Sequence, residues 1–277
     1  MKNNTITKLF GRVIRWVDYS SPRKTGLALG GGAVLGAAHI GVLKALEEYE
    51  VPIDFIAGTS IGSVIAAFYA FGYSPYEIEE IVLDLDWLDI SKLALSKYGI
   101  FSNKGLGDLI KVELGDVSFN ESKIPLAVVA TDIYKGEKVV LREGKVIQAL
   151  MASTSIPGVF EPVLVNDDLL VDGGLVENVP ASAVREMGAN YVIGVDLTST
   201  HLQTKPENIL GVMLNAFDIA LKYQTKRQMS DSNILLKLDL SDFSLIDTSQ
   251  TPRLIEQGYQ DASNKFQKEL RRTLSSS

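Results

Sequence analysis

Residues 53–72, IDFIAGTSIGSVIAAFYAFG, join the pattern of a short buried strand directly to that of a helix. Apart from Asp54, the first five residues are apolar and Gly58 follows them, which is typical of a strand inside a sheet. From Ile61 onward the apolar run is longer and has the length of a helix. A chain that passes from a buried strand straight into a helix predicts a parallel sheet whose faces are covered by helices.

The same order of strand and helix recurs along the chain. Strand-like GLAL at 26–29 precedes helix-like AVLGAAHIGVLKALEEY at 33–49. We therefore expect a three-layer α/β/α fold with a mainly parallel central sheet, formed by a single domain over residues 25–273. Further strands are predicted at 124–134, 137–141, 167–174, 191–197 and 233–240, and helices around 76–84, 105–114, 145–152, 180–188, 207–228 and 252–273.

Composition excludes several classes of protein. The 277 residues are 46% hydrophobic and 22% charged, as in folded globular proteins. No cysteine occurs, so disulfides, thiolate metal sites and cysteine nucleophiles are excluded, and two histidines, His39 and His201, are too few for a histidine-rich metal site. The apolar runs fall well short of the ~20 residues that cross a bilayer. Because no secretory signal is visible either, we expect a cytoplasmic protein.

Residues 1–24 form a basic leader. They contain six Lys and Arg residues and one Asp, a net charge of +5 that leaves −12 on the rest of the chain. ITKLFGRVIRWVDY at 6–19 has the apolar spacing of an amphipathic helix. Such a helix could dock on the domain or lie on an anionic membrane, and the second role predicts peripheral membrane contact through residues 5–19. Nucleic-acid binding is not expected, since it needs a broader basic face.

Residues 86–104, DWLDISKLALSKYGIFSNK, follow neither the helical nor the strand period. Two interpretations remain open for this stretch. It could be a lid over an apolar site, or an ordinary packed connection between elements.

A glycine-rich turn follows the first predicted strand. In LALGGGAVLGAAHIG at 27–41, three glycines leave the N–H groups at the start of a helix uncovered, which favours binding of an anion. The anion could be a phosphate or a developing oxyanion. A dinucleotide site is disfavoured because the spacing is G-x-G-x-x-x-G and Asp54 begins a strand rather than ending one. The Walker pattern is absent, since no Gly-Lys-Ser/Thr follows.

Ser60 lies in the pattern Gly58-Thr59-Ser60-Ile61-Gly62, between the strand and helix of residues 53–72. A sharp turn there would lift the serine Oγ above the end of the sheet, and Gly58 and Gly62 leave room for it. The pattern therefore predicts a nucleophile elbow. The alternative is a serine that caps the following helix.

The base that would activate Ser60 is not decided by these patterns. Asp172 ends a predicted strand in LLVDGGLVENVP at 169–180, where it could cap a turn or reach a hydroxyl. Ser60, Asp172 and His201 follow one another in the order of an α/β-hydrolase triad, whereas a dyad would use Asp172 itself as the base. We expect His39, inside the helix after the glycine turn, to pack there or to cap a neighbour.

Six segments together resemble the patatin-like phospholipase family over about residues 25–270. They are GGGAVLGAAHIGVLKALEE, AGTSIGS, ATDIYKGEKVV, ASTSIPGVFEPV, VDGGLVENVP and LLKLDLSDFSLIDTSQTPRLIEQGY. The resemblance implies a dyad without histidine, with Ser60 as nucleophile and Asp172 as base. It also implies backbone oxyanion donors at Gly30, Gly31 and Gly32, and a lipid substrate such as a phospholipid, a lysophospholipid or a related acyl ester.

The resemblance has two further consequences for the site. No metal or organic cofactor is implied, and Asp172 must be ionised, which the usual aspartate pKa of ~3.9 allows unless burial raises it strongly. Family members usually carry Arg or Lys before the last glycine of the turn, where this chain has Val34 and Leu35. The rival interpretation is a lipid- or phosphate-binding module without catalysis.

Overall fold

The computed structural model describes residues 23–84, 92–93, 99–198, 205–228 and 231–275. The strands are β1 Thr25–Leu29, β2 Phe55–Thr59, β3 Lys92–Leu93, β4 Gly99–Ser102, β5 Leu126–Asp132, β6 Glu137–Leu141, β7 Gly158–Phe160, β8 Val163–Val165, β9 Asp168–Asp172, β10 Tyr191–Asp196 and β11 Ile234–Lys237. The helices are α1 Ala38–Glu48, α2 Ile61–Ala70, α3 Pro75–Leu83, α4 Lys104–Glu113, α5 Val146–Ser153, α6 Ala181–Glu186, α7 Ile209–Gln228 and α8 Thr251–Ser275.

The central sheet has eight strands in the order β11-β10-β1-β2-β5-β9-β8, with β6 also paired to β5. The four pairs from β11 to β5 are parallel, whereas β6, β8 and β9 add antiparallel pairs at one side. The predicted fold class, α/β with a mainly parallel central sheet, is confirmed.

The two faces of the sheet carry different side chains because residues alternate along each strand. In β1, Leu27 and Leu29 join a large core with residues of α1, α2 and α8. Ala28, between them, joins a second core with residues of α6. Helices therefore cover both faces, as buried parallel strands require.

The structure also contains short strands that the sequence patterns did not predict. β3, β4 and β7 form a separate three-stranded sheet, so residues 92–93 and 99–102 of the stretch 86–104 are strands. The rest of that stretch up to residue 98 lies outside the described residues, as does the leader up to residue 22. The predicted lid, the leader helix and the domain boundary at residue 25 stay predictions. None of the helices in the described ranges is long and apolar enough to cross a membrane.

Candidate active site

Strand β5 brings Ser60 and Asp172 together. Antiparallel β6 occupies one edge of β5, and the other edge is shared by parallel β2 and antiparallel β9. The change from β2 to β9 falls between Val129, which lies opposite Thr59, and Ala130, which lies opposite Asp172. The carboxyl ends of β2 and β9 therefore meet head to head, and Ser60 follows Thr59 at this junction.

Ser60 occupies a strained turn between β2 and α2. Its φ of 53° and ψ of −133° lie outside the regions that non-glycine residues usually adopt, and only 6% of the residue is exposed. A Cβ on Gly58 would overlap the Cα of Ser63, and one on Gly62 would overlap the carbonyl oxygen of Leu29. Both glycines are thus required by close backbone packing, which gives the elbow its geometry.

The carboxylate of Asp172 is completely buried. Its Oδ1 accepts a hydrogen bond of 2.9 Å from the N–H of Gly174. Its Oδ2 forms no hydrogen bond with a group of the described chain, although the Ser60 hydroxyl lies close enough to lower the pKa of Asp172. Burial raises the pKa of Asp172 to about 7, although the Ser60 hydroxyl and the Gly174 N–H oppose this rise. A large fraction of the carboxylate is therefore protonated at neutral pH.

Ser153 and Ser155, at the end of α5 and just beyond it, fill the junction between β2 and β9. The Ser60 N–H donates to Ser153 Oγ at 2.8 Å, and that hydroxyl donates to the Val129 carbonyl at 2.6 Å. The Asp172 N–H donates to the Ser155 carbonyl at 2.9 Å. Ser153 and Ser155 thus form hydrogen bonds with backbone groups of Ser60, Val129 and Asp172 at the junction, where β2 and β9 do not pair with each other. Sequence reasoning assigned them no role, although both lie in the segment ASTSIPGVFEPV.

The N–H groups of the three glycines in the turn after β1 are not equally available to bind a substrate oxygen. The Gly30 N–H donates to the Val195 carbonyl at 3.1 Å, so this predicted oxyanion donor is engaged with β10. The Gly31 N–H donates to Asn178 Oδ1 at 3.1 Å, and a Cβ on Gly31 would lie 3.0 Å from the Cβ of Ser60. Gly32 donates to no acceptor within the described residues. Gly31 and Gly32 therefore remain candidates, and Gly31 lies beside Ser60.

The two histidines have different outcomes. His39 is completely buried, and its Nε2 donates to the Gly30 carbonyl at 2.7 Å, which confirms the expectation that it packs and binds a neighbour. Burial lowers the pKa of His39 to about 4, so its ring is neutral near pH 7. His201 lies outside the described residues, and the triad that includes it stays a hypothesis.

Residues 27–185 match the protein family described as patatin-like phospholipase. The chain belongs to the patatin-like phospholipase family. Two relatives of this family support the match. Neuropathy target esterase sws of Drosophila melanogaster is 31% identical over 198 residues, and patatin-like phospholipase domain-containing protein 6 of Mus musculus is 35% identical over 204 residues. These alignments cover 69% and 67% of this chain but 14% of each relative.

An NTE family protein of Mycobacterium tuberculosis is 35% identical over 184 residues, which are 65% of this chain and 51% of that protein. Two solved structures share the fold. VipD from Legionella pneumophila superposes with a TM-score of 0.62 at 14% identity, covering 91% of this chain and 67% of that one. ExoU of Pseudomonas aeruginosa, in its complex with SpcU, gives a TM-score of 0.51 at 16% identity, covering 91% of this chain and 53% of the other.

The glycine turn of this patatin-like chain carries apolar residues where a cation was expected from the family. Val34 and Leu35 are both buried and belong to the large core. The turn therefore presents backbone N–H groups and no basic side chain at these two positions.

Asn178 links the glycine turn of this patatin-like domain to helix α7. Its Oδ1 accepts from Gly31, and its Nδ2 donates to Thr225 Oγ1 of α7 at 3.0 Å. The side chain is completely buried. Sequence reasoning gave Asn178 no role, although it stands six residues after Asp172 in the segment VDGGLVENVP. Because an amide oxygen already accepts from Gly31, a substrate oxygen would have to compete with it for that N–H.

Helix α7 covers the Asp172 end of the site. Leu221 and Phe217 pack against Gly174, and Gln224 Nε2 donates to the Leu175 carbonyl at 2.8 Å. With Asp172 completely buried and Ser60 almost so, the described residues hold the site in a closed arrangement.

Proposed function

We propose that this chain is a serine lipid acyl hydrolase that cleaves fatty-acyl esters of phospholipids, lysophospholipids or related lipids. Ser60 is the nucleophile and Asp172 is the base in this proposal. The observation that carries it is the junction on β5, where a strained serine meets a buried carboxylate whose Oδ2 lacks a hydrogen-bond partner among the described residues. Membership in the patatin-like phospholipase family supports the same class of reaction.

In the first step, ionised Asp172 accepts the proton of the Ser60 hydroxyl as Oγ attacks the ester carbonyl. The negative charge moves to the carbonyl oxygen, which the N–H groups of Gly31 and Gly32 would stabilise by roughly 3 kcal/mol per donor. The ester C–O bond then breaks, and protonated Asp172 gives its proton to the leaving alcohol. Ser60 carries the acyl group at the end of this step.

In the second step, Asp172 takes a proton from water, and the hydroxide oxygen attacks the acyl-serine carbonyl. The Oγ leaves with a proton from Asp172, which restores the hydroxyl and releases the fatty acid. A pKa of about 7 suits both directions of transfer, because neither the acid nor the base form is scarce near neutral pH. The Ser60 hydroxyl is expected to donate a hydrogen bond to Asp172 Oδ2 when substrate binds.

Labelling with a fluorophosphonate probe tests the nucleophile. We expect the wild-type protein to be labelled at Ser60 and the Ser60→Ala protein to remain unlabelled at an unchanged melting temperature. A wild-type protein that takes no label would favour the lipid- or phosphate-binding module. Label on another serine in the Ser60→Ala protein would contradict the assignment of Ser60.

Replacing His201 by alanine separates the dyad from the triad. Under the dyad, His201→Ala keeps nearly the wild-type rate of ester hydrolysis. A loss as large as that of Ser60→Ala would establish the triad instead. A panel of lipids that varies head group, chain length and acyl number, run beside Ser60→Ala, then identifies the substrate.

A further inference from the structure

The outward face of α7 carries an exposed apolar stripe. Ile209, Val212, Ile219 and Tyr223 are 72%, 53%, 45% and 70% exposed, and Ala216 between them is exposed as well. Their spacing of three and four residues places all five on one side of the helix. A contiguous apolar surface of this kind usually marks an interaction site rather than a water-facing helix.

The opposite face of the same helix, which includes Leu221 and Thr225, packs beside the candidate active site, and Met213 lies at the border between this face and the stripe. Met213 packs on Gly158 of β7, Leu221 packs on Gly174, and Thr225 bonds to Asn178. The helix is therefore apolar on both sides, whereas a helix between a core and water is polar on its outer side. The inner apolar face is explained by the site, and the outer one requires a second apolar environment.

The charges of α7 indicate which environment this is. Asp218 is the sole acidic residue in the α7 sequence, and it is buried and paired with Lys222 at 2.8 Å. Lys226 is exposed near the apolar stripe. The chain as a whole has a net charge of −7. Helix α7, in which Lys and Arg residues outnumber the one Asp, therefore differs in charge from the rest of the molecule. An outer face that combines an apolar stripe with an exposed lysine, on a helix whose one acidic residue is buried, matches a bilayer that contains anionic lipid.

A second group of exposed apolar residues lies just beyond the carboxyl end of β5. Ile133 and Tyr134 follow β5 directly, beyond the end where Ser60 and Asp172 meet, and they are 43% and 91% exposed. The Ile133 N–H bonds to the carbonyl of Leu169, which is 37% exposed. Apolar surface is thus present on α7 and on the β5–β9 side of the candidate site.

We propose that the outward face of α7, from Ile209 to Tyr223, is a docking surface for a bilayer containing anionic phospholipid. This inference rests on the proposed lipid hydrolysis for its purpose, since docking there would place the covered site against its substrate. Binding itself does not require catalysis. It is also separate from the membrane contact predicted for residues 5–19.

The chain has no cysteine, so a single introduced cysteine can carry a fluorophore at one chosen site. Val212→Cys places the label on the stripe. Val112→Cys is the matched control, because Val112 on α4 is 79% exposed. It lies away from Ser60: the carbonyl of the neighbouring Glu113 accepts a hydrogen bond from Tyr73, which follows the carboxyl end of α2, whereas Ser60 precedes the amino end. Both proteins are made in the full chain with Ser60→Ala, labelled with a nitrobenzoxadiazole dye, and mixed with phosphatidylcholine vesicles with or without phosphatidylglycerol.

We expect the dye at position 212 to brighten severalfold and shift to the blue with phosphatidylglycerol vesicles, and the dye at position 112 to stay unchanged. No change at 212, or equal changes at both positions, would overturn the proposal. An equal response to pure phosphatidylcholine would overturn the anionic preference. A response at 212 that grows with protein concentration without vesicles would assign the stripe to a second copy of the chain instead.

The proposed function is tested separately with a soluble short-chain ester. In the catalytic wild-type background, Val212→Ser with Tyr223→Ser should keep soluble-ester hydrolysis and lose most vesicle hydrolysis. Val112→Ser with Tyr76→Ser, which removes a valine and a tyrosine that are also more than half exposed but lie elsewhere, should keep both activities. If the wild-type protein does not hydrolyse the soluble ester, the proposed enzymatic activity is refuted, whereas the docking result is unaffected.

Discussion

The two ends of strand β5 differ in a way that shows what marks the candidate site. At its amino end, Pro125 and Leu126 line an open cavity of about 660 Å³ together with Ser118, Asn120 and Arg142. At its carboxyl end, Ser60 and Asp172 are almost completely enclosed. The strained backbone of Ser60, the raised pKa of Asp172 and its buried Oδ2, which has no hydrogen-bond partner in the part of the chain that the structure describes, all lie at the closed end. The candidate active site is therefore marked by residues with a strained backbone or a shifted pKa, and not by the size of a cavity.

The largest effect on activity is expected when Asp172, the proposed base, is replaced, and this variant tests the difference between the two ends of β5. Asp172→Asn should lower kcat for a soluble ester about 10³-fold, because the amide cannot accept the Ser60 proton. Asp132→Asn is the matched control, since Asp132 is also buried at a strand end but has its Oδ1 held by the N–H groups of Tyr134 and Lys135. Steady-state kinetics of the two variants decide the matter. A similar loss in both would show that burial at a strand end, and not base chemistry, is responsible.

The displaced pKa of Asp172 predicts a dependence of stability on pH. A carboxyl whose pKa is raised in the folded state stabilises the fold below its unfolded pKa and loses that contribution as the pH rises through about 7. Asp172→Asn should therefore be more stable than wild type above pH 7, by at most about 4 kcal/mol, with the difference vanishing near pH 4. Urea unfolding at pH 4.5, 6 and 8 measures it. A difference that does not change with pH would remove the argument for the perturbed base.

The same raised pKa predicts that kcat/KM of the wild-type protein rises with pH and has a midpoint near 7. The ionised form of Asp172 is needed to accept the proton, so activity falls on the acid side. A midpoint close to 4 would indicate an ordinary solvated aspartate and would contradict the closed arrangement.

A smaller effect is expected at the junction between the strands. Ser153→Ala removes the acceptor of the Ser60 N–H and the donor to the Val129 carbonyl, which should cost about 1–3 kcal/mol of stability. We expect kcat to fall about tenfold, because the elbow loses one support while its glycines remain. Ser153→Cys, which keeps a weak donor, should recover part of the rate. Equal rates in Ser153→Ala and wild type would show that β5 and the glycines hold the elbow alone.

The smallest effect is expected at the open end of β5. Arg142→Ala alters the lining of the 660 Å³ cavity, and we expect the kinetics of soluble-ester and vesicle hydrolysis to remain within about twofold of wild type. A large loss would place substrate in that cavity and reverse the comparison between the two ends.

Much of the fold was predictable from local patterns. The apolar runs that became β1, β2, β5, β9 and β10 are short and end in glycine or a polar residue, and their alternation with helices gave the three-layer class. The small strands β3, β4, β7 and β8 were missed. Their residues follow no clean period, since these strands are only two to four residues long, and β4 pairs with β7 from a distant part of the chain.

The elbow residues and Asp172 were likewise visible in the sequence, because a serine between glycines and an aspartate before two glycines each follow a strand. Ser153 and Asn178 were not visible as partners of the site. Their side chains bond to groups 93 and 147 positions away along the chain, and no local pattern reports such contacts.

By itself the sequence determined the order of the longer strands and helices, the family resemblance, and the candidate residues Ser60, directly after β2, and Asp172, at the end of β9. Those properties depend on local periodicity and on residue types at turns. The tertiary structure decided that β9 pairs antiparallel with the same edge of β5 as β2, directly beyond the point where β2 ends, which brings Ser60 and Asp172 together. It also decided that burial raises the pKa of Asp172 and that the Gly30 N–H is engaged with β10. Burial and long-range pairing arise only when distant segments pack together, so no stretch of sequence could show them.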